Sequence, residues 1–277
     1  SNYIRDRDGT TMAYLSGGTI IDATAGDDLQ LHIQRDDVNP TTPTSVLGSG
    51  TNGINVLKLK DSWDYLRLYN GATTSDVHLN TSFTDVAWQN ADEVDTDSFG
   101  FTATSADITV KGADGDHFLV MANVTLYVDG TGSTRQNYEM QLTLDGNVIP
   151  GTLVTAYPRG NQNSEQIRFA TLSYMGIITK DSASDQTLNI EMRRESSGSQ
   201  TTDMVRNRSA VTLVALPDTG SYVRLGGTET TQSLTNSTQD INWDIQHEVD
   251  SYAFSHSTTT NSDRIEIDQA GDYLFFA

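Results

Sequence analysis

The chain contains no cysteine. Thiolate catalysis, cysteine-ligated zinc, iron–sulfur clusters and disulfide staples are therefore excluded. Basic residues are scarce: 17 Lys and Arg, only four of them Lys, stand against 37 Asp and Glu. The formal net charge is −20 and the pI about 4.3. Nucleic acid and anionic lipid both call for a basic stripe, so neither is an expected partner. Hydrophobic residues make up 36% of the chain, and no apolar run approaches the roughly 18–20 residues of a transmembrane helix. No membrane insertion is expected, and the first residues read as polar strand and turn rather than as a signal peptide. Helical periodicity is missing too, with no apolar i, i+3, i+4 pattern sustained over about 12 residues.

What fills the chain is Thr, Ser, Asn, Gln, Gly and above all Asp, which supplies 29 of the acidic residues. Asp favours turns because its side chain bonds the backbone two residues on. Between the turns lie alternating segments: Leu29–Arg35, Asn123–Val128, Tyr138–Leu144 and Thr187–Arg193. Each places apolar side chains on one face at period two. Asp8-Gly9, Asn52-Gly53, Asn70-Gly71, Asp129-Gly130 and Asp145-Gly146 supply hairpin turn chemistry. The expected fold class is all-β: tandem antiparallel β-sandwiches of jelly-roll type.

The tandem expectation comes from an internal repeat. Tyr65-Leu66-Arg67-Leu68 returns as Tyr222-Val223-Arg224-Leu225, at an offset of 157. Asp85-Val86-Ala87-Trp88 with Glu93-Val94-Asp95 returns as Asp240-Ile241-Asn242-Trp243 with Glu248-Val249-Asp250, at an offset of 155. Ile108-Thr109-Val110 before Gly115-Asp116 returns as Ile265-Glu266-Ile267 before Gly271-Asp272. The opening residues match the back of the same unit. Leu29, Leu31, Ile33 and Arg35 correspond to Leu188, Ile190, Met192 and Arg194 at an offset of 159. Ile54, Val56, Leu57 and Leu59 correspond to Val211, Leu213, Val214 and Leu216 at an offset of 157. Residues 64–220 thus read as one complete unit, 1–63 as the C-terminal part of a first and 221–277 as the N-terminal part of a third. Two accounts follow. The chain is an excerpt of a longer tandem-repeat protein, or its half-domains complete one another between neighbouring chains and build head-to-tail fibres.

These blocks resemble the tumour-necrosis-factor-like jelly roll, in the branch that holds the complement globular head. The carrying residues are Asp85–Trp88 with Glu93–Asp95, Ile108–Val110 with Gly115-Asp116 and Phe118-Leu119, the segment Ile265–Phe275, and Val211–Leu216. The resemblance implies compact trimers that act by binding rather than catalysis. It is similar to bacterial and phage versions found in extracellular, surface and virion fibre proteins.

Candidate chemistry is thin. His32, His78, His117, His247 and His256 form no metal-binding spacing. Asp92, Glu93, Asp95 and Asp97 make the densest carboxylate cluster and are weak candidates for calcium, since hard oxygen ligands suit that ion. They lack the EF-hand spacing and its glycine, and a solvated turn is the competing reading. Asp27-Asp28 and Asp36-Asp37 are weaker still. No carboxylate pair is singled out for glycoside hydrolysis, and no G-x-S-x-G, P-loop or dinucleotide fingerprint is present. Trp63, Trp88, Trp243, Tyr273, Phe275 and Phe276 are candidates for core or interface packing, with sugar stacking as the alternative for the tryptophans. Arg193-Arg194 and Arg206-Asn207-Arg208 are expected to pair with Asp across strands or subunits.

The leading expectation is a non-enzymatic, extracellular structural or adhesive fibre protein on a virion or a bacterial surface. It needs no cofactor, self-associates as a trimer or fibre, and has a glycan or protein receptor. The alternative is a carbohydrate-binding module of a larger secreted enzyme, and a third reading is an enzyme in its own right.

Overall fold

The computed structural model describes residues 63–70, 79–129, 137–157, 169–195, 201–204, 209–217, 221–227 and 240–270. Among them there is no helix and there are seventeen strands. Those between residues 65 and 215 form two antiparallel sheets that face each other.

The first sheet runs β10(Phe169–Thr179), β6(His117–Asp129), β13(Ala210–Ala215), β1(Tyr65–Tyr69), β3(Asn90–Val94). The thirteen residues of β6 give it the length to hold β13 and β12(Thr201–Met204) one after the other on a single edge. The second sheet runs β4(Phe99–Phe101), β5(Ile108–Val110), β11(Gln186–Arg194), β7(Tyr138–Leu144), β8(Asn147–Val148). Here β2(Thr84–Asp85) also pairs with β11, and β9(Val154–Ala156) with β7. The chain crosses repeatedly between the two sheets, and the first and last strands of the sandwich, β1 and β13, lie side by side. This is the all-β jelly roll expected from the sequence.

Period-two alternation explains which side chains meet. Leu66 and Leu68 point inward from β1, with Phe118, Val120, Ala122, Val124 and Leu126 from β6. Facing them are Tyr138, Met140 and Leu142 from β7, Leu188, Ile190 and Met192 from β11, and Ile108 and Val110 from β5. Phe99 meets Phe118 edge to face, with ring centroids 5.7 Å apart. Each fully buried aliphatic or aromatic side chain contributes roughly 1.5–3 kcal/mol, so this layer is the main source of stability.

Polar side chains tie the rim. Asn70 is buried, donates from Nδ2 to the carbonyl of Ala87 and accepts from the N–H of Gln89. It therefore fixes the end of β1 to the segment carrying Trp88, while Gly71 lies outside the described residues. Asp145-Gly146 closes the β7–β8 hairpin with φ of 49° and 76°, the double left-handed backbone that Asp-Gly favours.

Past the sandwich lie β14(Val223–Gly226), β15(Ile245–Val249), β16(Phe254–Ser255) and β17(Glu266–Ile267). Their pairings reproduce those of β1, β3, β4 and β5. Leu66 opposes Val94 and Arg67 opposes Glu93; then the register slips and Leu68 opposes Ala91. Val223 opposes Val249 and Arg224 opposes Glu248; then the register slips and Leu225 opposes Gln246. The bulge recurs at the equivalent step, with Asp92 passed over in one copy and His247 in the other. Likewise Phe99 opposes Val110, and Phe254 opposes Ile267.

The backbone bonds between these strands recur as well. Trp88 donates to Ser105 at 2.9 Å and Trp243 to Ser262 at 2.8 Å. Asp95 donates to Tyr65 at 3.1 Å and Asp250 to Tyr222 at 3.0 Å. The left-handed residue Thr104 has its counterpart in Asn261, with φ of 72° and 51°.

Candidate functional site

The one place where described polar and aromatic groups from distant segments converge outside the core is the junction between residues 64–217 and the β14–β15 ribbon. Tyr222 enters it from just before β14. Its ring stands edge-on to His117 at a centroid distance of 4.7 Å, and its hydroxyl donates to the carbonyl of Pro217. His117 opens β6, and its Nδ1 lies 3.0 Å from Oγ1 of Thr179.

One turn of the ribbon further on, Arg224 reaches across to β10. Its Nη1 donates to the carbonyl of Ile177 at 3.0 Å, and it hydrogen-bonds the Tyr174 hydroxyl. Burial pushes the Tyr174 phenol above its ordinary pKa, and the guanidinium only partly opposes this. The Nε of Arg224 is buried with no hydrogen-bond partner.

The imidazole of His247 fills the remaining gap between two glycines. A Cβ at Gly226 would lie 2.8 Å from its Nε2, and a Cβ at Gly151, in the turn before β9, would lie 2.9 Å from it. Gly151 also has φ of 76°, so both backbone and space call for glycine there. Desolvation, and then the charge of Arg224, hold the His247 pKa below its ordinary value.

The two copies differ at one informative position. Arg67 pairs with the carboxylate of Asp92 on its own sheet. The equivalent of Asp92 is His247, so Arg224 has no acid at that position and turns instead to the first sandwich. A second exchange lies next to it. Asp95 accepts from the N–H of Asp97, which lowers its pKa, but partial burial and the Asp64 carboxyl outweigh that and raise it. The counterpart of Asp64 is Ser221. Its hydroxyl, and then the N–H of Tyr252, hold the Asp250 pKa below the carboxylate range.

The calcium candidates fall elsewhere. Asp92 is occupied by Arg67, Asp95 by the Asp97 backbone, and Glu93 sits opposite Arg67 in the ladder. Among the described residues, no three His, Asp or Glu side chains converge as a metal site would require. Trp88 is fully buried in the sandwich, and its Nε1 has no hydrogen-bond partner. Trp63 and Trp243 are half-buried. Tyr273, Phe275, Phe276, Arg206, Arg208 and the Asp27-Asp28 and Asp36-Asp37 pairs lie outside the described residues. Arg193 pairs with Glu139 on the neighbouring strand at 2.5 Å, rather than with an Asp, and lies over the Phe83 ring.

Sequence reasoning did not bring His117, Ile177, Gly151 and Arg224 together. The available signal was the loss of Asp92 from the second copy of an otherwise retained Arg–bulge pair.

No family model matches this chain, and no curated protein does. Solved structures similar to it include two crystal structures of murine APRIL, at pH 8.0 and pH 5.0. Each is 13% identical and covers 56% of this chain and 100% of its own, with TM-scores of 0.35 and 0.37. The fold assignment rests on the strand order itself.

Proposed function

We propose that the chain is a non-enzymatic structural or adhesive protein working outside the cell. It would serve as a virion fibre or decoration protein, or as a bacterial surface filament subunit, built from repeated jelly rolls. The observation that carries this reading is the recurrence of the β1–β3 and β4–β5 registers, bulge included, in β14–β17. Duplicated units in one acidic, cysteine-free chain suit stiffness, reach and repeated display better than turnover.

The mechanism is passive and needs no cofactor. Sandwiches supply a rigid scaffold, and loops rich in Asn, Asp, Thr and Ser offer hydrogen bonds to a glycan or protein receptor. Repeated display then raises avidity without strong single contacts. Leu153 and Tyr157, which flank β9, and Met175 on β10 are exposed, and they favour self-association into a trimer or fibre.

Negative-stain electron microscopy of the purified chain tests this. Particles of two or more sandwich-sized bodies in a row, singly or joined as fibres, are expected. A single body whose hydrolytic activity disappears on changing one carboxylate would overturn the reading.

A further inference from the structure

The bulge of the second copy carries a titratable ring where the first carries an acid. In β1–β3, Arg67 pairs with Asp92 at the slip in register. In β14–β15 the residue passed over at that step is His247. The arginine beside it, Arg224, is committed to the first sandwich through the Ile177 carbonyl and the Tyr174 hydroxyl. An Arg–Asp pair keeps both its charges down to about pH 4. A histidine changes its charge between about pH 5 and 8.

The setting of His247 disfavours that charge. Its Nε2 lies 2.8 Å from where a Cβ at Gly226 would stand and 2.9 Å from where one at Gly151 would stand. The ring is thus held between two strips of backbone, one from each copy. Two glycines admit the ring and bring no side chain to balance a proton on it. The turn at 150–153 carries no titratable group. From β14 the ring meets the guanidinium of Arg224. From β10 comes Tyr174, whose hydroxyl is bonded to Arg224. Asp244, which precedes β15, reaches the neighbouring Gly227, with Oδ1 4.0 Å from where a Cβ there would stand. A proton on His247 would therefore set a second positive charge beside Arg224 in a partly desolvated gap.

We propose that this junction is an acid-sensitive joint: uptake of a proton by His247 releases β14–β15 from Gly151 and β10, and leaves the ribbon hinged at Tyr222 against His117.

The two ends of the ribbon respond to different ranges of pH. Burial, and then the charge of Arg224, hold the docked His247 ring below its ordinary pKa. Free of the junction, the ring returns towards about 6.5. Docking is therefore favoured in full above about pH 6.5 and weakens as the pH falls below it. Release takes up one proton, so the opening constant grows by up to about tenfold per pH unit until the docked ring is itself protonated. At the other end Asp250 is held below the carboxylate range by Ser221 and the Tyr252 N–H, with the charge of His117 on β6 adding to the effect. That contact persists until the pH falls through the depressed value, below about 3.9. Between about pH 4 and 6.5 one end lets go and the other holds.

Amide exchange on the full chain, expressed as protection relative to intrinsic rates, tests the joint. From about pH 7.5 to 5.5, protection in β14 and β15 should fall several-fold, up to about tenfold. Protection in β6, β7 and β11 should stay constant. In His247→Gln, which carries no charge at either pH, ribbon protection should be the same at both. A ribbon equally protected, or equally unprotected, at both values in the unaltered protein would overturn the proposal. So would an equal acid-induced loss in His247→Gln, which would place the sensing group elsewhere. Should the glutamine fail to dock, titration of the His247 ring by NMR decides. A midpoint below 6.5 that rises in Arg224→Gln supports the joint, and a midpoint at or above 6.5 in the unaltered protein overturns it.

Discussion

Arg224 on β14 and Ile177 on β10 are joined by a 3.0 Å hydrogen bond from guanidinium to carbonyl oxygen, whereas Arg67, the counterpart of Arg224, pairs with Asp92 on its own sheet. The same arginine serves a strand pair in one copy and a junction between copies in the other. The exchange of Asp92 for His247 accounts for the difference. Arg224→Gln should therefore loosen the ribbon and leave the sandwich intact. A hydrogen bond from a charged donor contributes about 1.5 kcal/mol or somewhat more. Amide exchange across β14 and β15 should speed up roughly tenfold, with no change in β6, β7 and β11. Unchanged exchange in the ribbon would remove Arg224 from the junction.

Gly151 and Gly146 form an internal control. Both have φ of 76°, but a Cβ at Gly146 meets nothing within 4 Å, whereas one at Gly151 meets His247. Alanine at either position should cost about 1–2 kcal/mol in turn strain. Only Gly151→Ala should also raise exchange in β15. Identical exchange maps for the two variants would show that the contact with His247 does not hold the ribbon.

The equivalent tryptophans should behave differently. Trp88 is fully buried and Trp243 half-buried. In guanidinium unfolding, Trp88→Ala should cost about 3–5 kcal/mol and Trp243→Ala only about 1 kcal/mol. Equal losses would mean that Trp243 is as deeply buried in solution as Trp88.

Asp145 sets a pH dependence. The Thr187 N–H, and then the Gln186 amide, hold its carboxyl below the usual range, with Lys180 helping. A depressed folded pKa adds stability above the unfolded value of about 3.9, and that stability is lost as pH falls through the folded value. Asp145→Asn retains the tolerance for left-handed backbone but loses the charge. Its melting temperature should lie below that of the unaltered protein at pH 7, and the gap should narrow below about pH 4. A gap independent of pH would assign the effect to turn geometry alone.

Much of the fold was legible because period-two alternation marks strands directly. Thr187–Arg193 and Tyr138–Leu144 fall within β11 and β7. Asp145-Gly146 was legible because its chemistry selects one backbone conformation. The bulge at Asp92 was not, because it is a slip between two ladders that leaves no residue-type mark. The junction was not legible either. Its key acceptor is the backbone oxygen of Ile177, 47 residues from Arg224, and carbonyls look alike in every sequence. The acidic run Asp92–Asp97 suggested calcium because ligand types were visible, whereas the Arg67 pairing that occupies Asp92 depends on register.

Amide exchange followed by NMR on the full chain tests the structural duplication most directly. The N–H groups of Trp88, Asp95, Phe99 and Lys111 bond Ser105, Tyr65, Asp95 and Ser98, and those of Trp243, Asp250, Phe254 and Asp268 bond Ser262, Tyr222, Asp250 and Ala253. If residues 221–270 repeat the front of the sandwich, these four second-copy amides will be protected above their neighbours, in the same pattern as the first four. Exchange of all four at unstructured-chain rates, beside a protected first set, would contradict it.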